Sequence, residues 1–433
     1  VSANPLPCLT DVEPLTLADT LDTFHRSGKP RDLFRVGAEF EKFALDRATG
    51  RPLTFAEPGG VRDILLSLAR RFDWLPQFEA GEVTGLTRDG HTISLEPGCQ
   101  VELSTAPAAT VAEIGDELAC HREELRAVVD CEKIAWVAAG ITPVAGAADI
   151  PLGPRRRHAV MADALPLRSP AARDMMRATA STQVTLDYTD EADAVRKATV
   201  ALKLGPVFNA LVANSRVVHG ERGQFASARG RVWQQMDPAR SGCLVPLLKQ
   251  GLSFETYRDF LLDTPMLFHF RRDDYRPAGG RTFRDFLTRG INGQFPTAAD
   301  WDLHLTTVFP EVRLKHCLEI RGADATPPAT ALAVPAFWKG LLYDDSALDA
   351  ACDLARIVPP DDLPALWAAT HRDGLRAEFD GLGVAELAEE LLTIAAAGLE
   401  AQGEPEAVRY LDALRQRRDA ATTYADVLRD CEF

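Results

Sequence analysis

The sequence predicts an α+β fold: a sheet with one apolar and one polar face, followed by a helical C-terminal region. Three observations lead there. Period-two alternation recurs as far as Arg321, only helical periodicity is found after Thr330, and four separate strands oppose an apolar face to one of acids, amides and guanidinium groups. No clear linker divides the chain, so residues 1–330 and the helical region 331–433 are expected to pack as one domain.

The elements follow in order. Leu15, Leu17, Leu21 and Phe24 fall at helical spacing and predict a helix over 16–26. A strand starts at Arg35, Gly59-Gly60-Val61 opens a helix through Arg71, and 73–82 reads as irregular. Residues 83–103 read as a meander with turns at Asp89-Gly90 and Pro97-Gly98. A long amphipathic helix is expected from Thr110 to about Ile134, a strand over 135–143, a loop over 149–158 and a helix over 170–180. A strand at Gln183 and a helix over 191–211 follow. The weakly periodic, arginine-rich and glycine-rich segment 214–242 reads as a long functional loop. Residues 312–321 read as one strand, and the helices after it are expected over 335–343, 346–355, 361–380, 384–400 and 405–429.

The charged strands carry the chemistry. In the 312–321 run, Arg313, Lys315, Cys317, Glu319 and Arg321 share one face, opposite Val312, Leu314, His316, Leu318 and Ile320. That much charge is not buried without partners. A solvated strand face carries the same pattern, but its recurrence elsewhere argues against that reading. Glu39 and Glu41 project together from a second strand, Gln100, Glu102 and Ser104 from a third with Glu96 at its turn, and Gln183, Thr185 and Asp187 from a fourth. Oxygen ligands in this number suit magnesium or manganese. Histidine or cysteine clusters at zinc spacing are absent from the sequence. Cations beside the acids suggest an anionic substrate, and metals with cations around phosphates are the parts of phosphoryl transfer. The sequence contains no Walker-type loop and no dinucleotide fingerprint.

Composition narrows the class further. A formal net charge of −15 argues against a nucleic-acid partner, and 46% hydrophobic residues in a chain of 433 support a large core. The eight cysteines, Cys8 to Cys431, lack CxxC spacing and read as reduced thiols in a cytoplasmic protein. Val1 to Pro14 lacks the basic and apolar regions of a signal peptide, and no uninterrupted apolar run predicts a membrane span.

Seven stretches, in order from about Arg35 to Asp345, resemble the plant-type glutamate–cysteine ligases among the glutamine-synthetase-like carboxylate–amine ligases. They are VGAEFEKF (36–43), SLEPGCQVELSTAP (94–107), DMMRATASTQVTLDY (174–188), VANS (212–215), RGRVWQQMDPARSG (229–242), FPEVRLKHCLEIRGAD (309–324) and VPAFWKGLLYDD (334–345). The resemblance implies an antiparallel sheet curved into a catalytic cradle, with helices outside. It implies ATP as co-substrate and two or three magnesium ions, with manganese as the alternative. The substrates would be glutamate and an amine, cysteine favoured, joined through a γ-glutamyl phosphate by a monomer or homodimer. A γ-glutamyl ligase for a different amino acid or amine in a specialised pathway is the alternative within the class, and a phosphotransferase built on the same cradle is the rival from another class.

Carried over by motif, Glu39, Glu41, Glu96, Glu102, Gln183 and Glu319 would form the metal shell. Arg321, with Glu319 and Arg229, would serve catalysis, its planar fork holding the transferring phosphoryl group. Arg229, Arg313 and Lys315 would hold phosphates or the substrate α-carboxylate, with the division left open. Arg157 and Thr185 would border the acceptor, and Arg240 divides between phosphate binding and a solvated loop position. Trp233 and Trp338 read as core. The sequence departs from the family pattern at Thr185 (usually Asn), at His158 and Ala164 (usually aromatic), at Ala178 (arginine in the plant enzymes) and at Cys99 (commonly glycine). Most of these fall where an acceptor would sit, which leaves the amine less determined than the activity. Cys99 reads as a buried, passive thiol.

Overall fold

A computed structural model describes residues 13–272, 274–416, 421 and 423–433. The expectations for Cys8 and for the middle of the 405–429 helix lie outside the described residues. Among the described residues the main sheet has nine strands, all paired antiparallel, so the α+β expectation holds. They are β1 (Val36–Asp46), β2 (Leu75–Glu79), β3 (Glu82–Arg88), β4 (His91–Leu95), β5 (Val101–Ser104), β6 (Ile134–Val137), β7 (Thr182–Leu186), β8 (Val312–Leu314) and β9 (Leu318–Ile320). The spatial order is β8-β9-β7-β1-β5-β4-β3-β2, with β6 on the far end of β1.

Strand β1 is the spine. Phe40 and Ala38 point to a buried apolar side while Glu39 and Glu41 point to the other, as alternation requires. Register carries this polarity across the sheet: Glu39 lies opposite Ser104 on one side and Gln183 on the other, and Glu41 lies opposite Glu102.

The run 312–321 is two strands, not one. Leu314 pairs with Leu318, so Lys315, His316 and Cys317 form the turn of a hairpin and Arg313 faces Glu319. Reversal across a three-residue turn preserves parity, so Leu314 and Leu318 still point to the core. Strand β2 occupies the segment read as irregular. Leu75 and Phe78 on it are exposed, so an edge strand there showed no buried face to read.

Helices lie on both faces of the sheet. The first seven are α1 (Leu17–His25), α2 (Val61–Arg71), α3 (Val111–Val128), α4 (Arg156–Ala164), α5 (Ala172–Ala178), α6 (Glu191–Val212) and α7 (Ala228–Trp233). Capping boxes start two of them, Thr16 with Asp19 for α1 and Thr110 with Glu113 for α3. Helix α3 ends at Val128, short of the expected Ile134, and β6 ends at Val137, short of Pro143. Later come α8 (Phe254–Asp263), α9 (Ala333–Tyr343), α10 (Leu363–Asp373) and α11 (Val384–Ala401). Helix α9 packs on β7 and β1 from behind and against α11. The approach of α9 and α11 needs glycine: a Cβ on Gly398 would lie 1.9 Å from the carbonyl oxygen of Gly340. The C-terminal helices therefore share one continuous core with the sheet.

Candidate active site

The polar face of the sheet bounds a cavity of about 130 Å³. Glu39, Glu41, Glu96, Glu102 and Gln183 line it, as do Arg157, Arg229, Arg313, Lys315 and Arg321. Five acids and amides thus face five cations across one space. Arg155, which the sequence reading overlooked, also lines it.

The turn between β4 and β5 places Glu96. Its amide bonds the carbonyl of Gln100 at 2.9 Å, and the Cys99 amide donates back to the Glu96 carbonyl at 2.9 Å. Gly98 is required there, because a Cβ would lie 2.3 Å from the Arg177 carbonyl oxygen. Cys99 has φ +65°, the left-handed region that favours glycine. Burial pushes its thiol up to about 12, so it is a packing group and not a reactive one.

The acid row is electrostatically loaded. Burial, then Glu102 and Glu319, pushes Glu39 up to about 7. Burial and Glu102 do the same for Glu41, up to about 7, against the Ser181 amide and hydroxyl, which donate to it at 2.9 and 2.6 Å. Glu96 also rises to about 7, through burial and then Glu41, with Arg155 and Arg157 opposing. Glu39 Oε1 is buried without a hydrogen-bond partner. Such a row is short of positive charge.

The cation side is tied together at Glu319, which is fully buried. Arg313 grips it with two nitrogens, Nη2 donating at 3.0 Å, while Lys315 Nζ lies at 3.5 Å and Arg321 Nη1 at 3.3 Å. Burial would raise this carboxyl, but the three cations hold it well below the usual carboxylate range. Glu319 therefore faces cations and does not line the cavity with the other acids. Arg321 Nη1 also donates to Gln183 Oε1 at 2.8 Å, joining the two rows.

Arg229 arrives on α7. Its Nη1 donates to the Gly322 carbonyl at 2.7 Å and its Nη2 to the Arg321 carbonyl at 3.0 Å. Asp324, buried behind it, was missed by the sequence reading although it closes the quoted RGAD stretch. Its carboxylate accepts from the hydroxyls of Ser215 and Ser227, each at 2.7 Å. Ser227 caps α7, and the Ser215 hydroxyl accepts the Arg229 amide at 3.1 Å. Asp324 thus fixes the helix that aims Arg229.

Three expectations need correction. Arg240 is fully buried away from the cavity, held by Asp237 at 3.2 Å and by the carbonyls of Thr307 and Pro265 at 2.9 and 2.6 Å. It is a structural cation with every nitrogen committed. Thr185 sits beside Glu319 and Gly37 in the register but does not line the cavity; its hydroxyl lies 2.6 Å from where a Gly37 Cβ would be, filling that gap. Trp233 does line the cavity, whereas Trp338 is core as read.

The segment expected to border the acceptor brings Arg157, His158 and Met161 to the cavity, beside Met175, Met176 and Phe309. Arg157 Nη2 donates to the Thr306 hydroxyl at 3.1 Å. Burial holds His158 well below the usual imidazole range, so its ring is neutral. Ala164 packs beneath, against the methionine cluster.

The donor set suits magnesium. Among the described residues, no three His, Cys, Asp or Glu side chains converge as a ready-made cage. Magnesium is held by one or two carboxylates, waters and substrate phosphates, so an open row of oxygens with an unpartnered buried Glu39 fits it.

A family model described as glutamate-cysteine ligase family 2 (GCS2) matches residues 35–432. The chloroplastic glutamate–cysteine ligase of Arabidopsis thaliana is 38% identical over 399 residues, covering 91% of this chain and 76% of that protein. Chloroplastic glutamate–cysteine ligase B of Oryza sativa subsp. japonica is 38% identical over 407 residues, covering 93% and 82%. Among solved structures, the glutamate–cysteine ligase of Francisella tularensis in complex with AMP aligns with TM-score 0.53 at 12% identity over 88% of this chain and 82% of that one, a likeness of fold. The relatives' chloroplastic names overturn the cytoplasmic expectation. No helix among the described residues is long and apolar enough to cross a membrane. The chain belongs to glutamate–cysteine ligase family 2.

Proposed function

We propose that the charged cavity joins the γ-carboxylate of glutamate to the amine of cysteine at the expense of ATP. The γ-phosphoryl group moves to the glutamate carboxylate, the amine attacks the acyl phosphate, and orthophosphate leaves. The observation that carries this reading is the facing of the two rows, Glu39, Glu41, Glu96 and Glu102 against Arg229, Arg313, Lys315 and Arg321, in one cavity. A carboxylate and a triphosphate repel each other, and an acid row short of positive charge beside a cation row supports their joint binding.

Glu39, Glu41, Glu96 and Glu102, with the Gln183 amide, would hold magnesium, which neutralises phosphate charge when bound. The chain's own residues do the rest. Arg321, whose Nη1 reaches both Gln183 and Glu319, steadies the transferring phosphoryl group. Arg313 and Lys315 take phosphate or α-carboxylate oxygens. Glu319, through its salt bridges, holds Arg313, Lys315 and Arg321 together on that side. Arg157, His158 and the methionines receive the acceptor side chain.

The test is a screen with glutamate fixed and the amine varied, reading orthophosphate release and the dipeptide product. Release with cysteine, together with γ-glutamylcysteine, is expected. Release only with another amine would move the protein to a specialised pathway, a reading that neutral His158 at the acceptor wall favours. Phosphate found on the acceptor instead of in solution would make it a phosphotransferase.

A further inference from the structure

The segment from Arg321 to Asp324 holds a second arginine as well as its own. Arg321 lines the charged cavity, while the carbonyls of Gly322 and Arg321 take the two terminal nitrogens of Arg229. Asp324, at the far end of the segment, holds the other end of the same residue. Ser215 Oγ accepts the Arg229 amide and itself donates to Asp324 Oδ2. Arg229 is thus gripped at its backbone and at its guanidinium by one short stretch of chain that also carries Arg321.

Asp324 is buried, and its donors Ser215 Oγ, Ser227 Oγ and the Asn214 amide, each at 2.7 Å, are all neutral. Neutral donors alone do not require a carboxylate; an uncharged acceptor would satisfy them without a charge to bury. The charge has its use at Arg229. Burial pulls the Arg229 guanidinium down from its ordinary value, Asp324 is the leading charge that opposes this, and Arg321 adds to the fall. The two guanidinium groups are therefore close enough to repel, and in a buried site that repulsion is strong. Arg229 Nε is buried without a hydrogen-bond partner, so this arginine is not fully satisfied by the protein.

The fit around Asp324 is tight. A Cβ on Gly140 would lie 2.4 Å from its Cγ. The Asp324 backbone bridges that of Ser181, whose amide and hydroxyl donate to Glu41. One residue thus borders the acid row on one side and the helix of Arg229 on the other.

We propose that Asp324 is a positioning residue for the reaction: it holds Arg229 beside Arg321 against their mutual repulsion, so that both guanidinium groups meet the same phosphate. The inference rests on the ligase reading for that phosphate, and the experiment separates the two. Asp324→Asn keeps the shape and loses the charge and one acceptor. It should lower kcat/KM for ATP about ten- to a hundredfold. Arg229→Gln should bring a loss of similar size, and Asp324→Asn added to it should cost no more than about twofold further. An aspartate that only supports the fold would give losses that multiply in the double variant, and that result would overturn the positioning role. Equilibrium dialysis with ATP and magnesium gives a readout that needs no turnover: affinity should fall in each single variant and fall no further in the double. A chain that consumes no ATP with glutamate and any amine, yet repeats this cycle in binding, would sink the ligase reading and keep Asp324 as the residue that aligns the two arginines. Should Asp324→Asn not fold, Ser227→Ala removes one of its donors and the cap of α7, and the same cycle with Arg229→Gln decides.

Discussion

Arg313 and Glu319 sit directly across the β8–β9 hairpin and join through two guanidinium–carboxylate hydrogen bonds, both side chains buried. Removing one partner strands the other charge, whereas removing both does not. Arg313→Met should therefore destabilise the ligand-free protein by about 3 kcal/mol, and the double change Arg313→Met with Glu319→Met by distinctly less. Denaturant unfolding of the two variants checks this. Equal losses would mean that Lys315 and Arg321 already satisfy Glu319 alone.

The acid row sets a pH dependence. Glu39, Glu41 and Glu96 are raised from 4.5 to about 7 in the fold. Below about 4.5 both states carry the proton. Between about 4.5 and about 7 the unfolded chain has lost it and the folded chain has not, so stability falls as pH rises through this window. Glu319, held below its ordinary value, acts with the opposite sign: its contribution is present above 4.5 and is lost as pH falls below that. Magnesium should raise the melting temperature more at pH 8 than at pH 5. An equal rise at both would separate the metal from these carboxylates.

Glu39→Gln retains the shape and removes the charge of the acid that has an unpartnered oxygen. Turnover should drop by about a hundredfold or more while ligand-free stability at pH 8 holds or rises. Near-normal turnover at saturating magnesium would remove Glu39 from the metal set.

Arg321→Lys keeps one charge and loses the planar guanidinium, whose Nη1 reaches both Gln183 and Glu319. Turnover should fall by about ten- to a hundredfold with the KM for glutamate little changed. Weaker ATP binding at unchanged turnover would assign Arg321 to ground-state binding instead.

His158, neutral, with Met161, Met175, Met176 and Phe309 forms the proposed acceptor wall and offers apolar contact more than thiol recognition. Cysteine should be preferred over 2-aminobutyrate by no more than about 200-fold in kcat/KM. A preference near four orders of magnitude would require a buried polar contact to the thiol.

Much of the site was legible because strand alternation is a strict code. Glu39 with Glu41, and Glu102 with Ser104, reach one face whatever the rest of the fold does. The hairpin at 315–317 was illegible for a related reason. Its turn carries no Gly, Pro or Asn, and it leaves the parity of the flanking residues unchanged, so one strand and two strands write the same pattern. Arg240 misled because a cation in a glycine-rich loop looks solvated, while its burial depends on Asp237 and on carbonyls far along the chain. Asp324 was missed because its partners, Ser215 and Ser227, lie about a hundred residues away in sequence, a distance no local pattern encodes.

The hairpin also divides the site by chain connectivity. Arg313 and Glu319 are six residues apart, so the hairpin cations meet their counter-ion across one short loop, and Arg229 joins them from α7. The acid half is not gathered locally: Glu41 and Gln183, whose side chains touch at 3.2 Å, are 142 residues apart and need the neighbouring strands β1 and β7 in register. Short loops close at little entropic cost and long ones assemble late. The cations thus carry their own counter-ion, Glu319, as a self-neutralised unit before the carboxylates are gathered. A nascent or partly opened chain can keep this charged hairpin intact while the carboxylates of the other strands are still scattered.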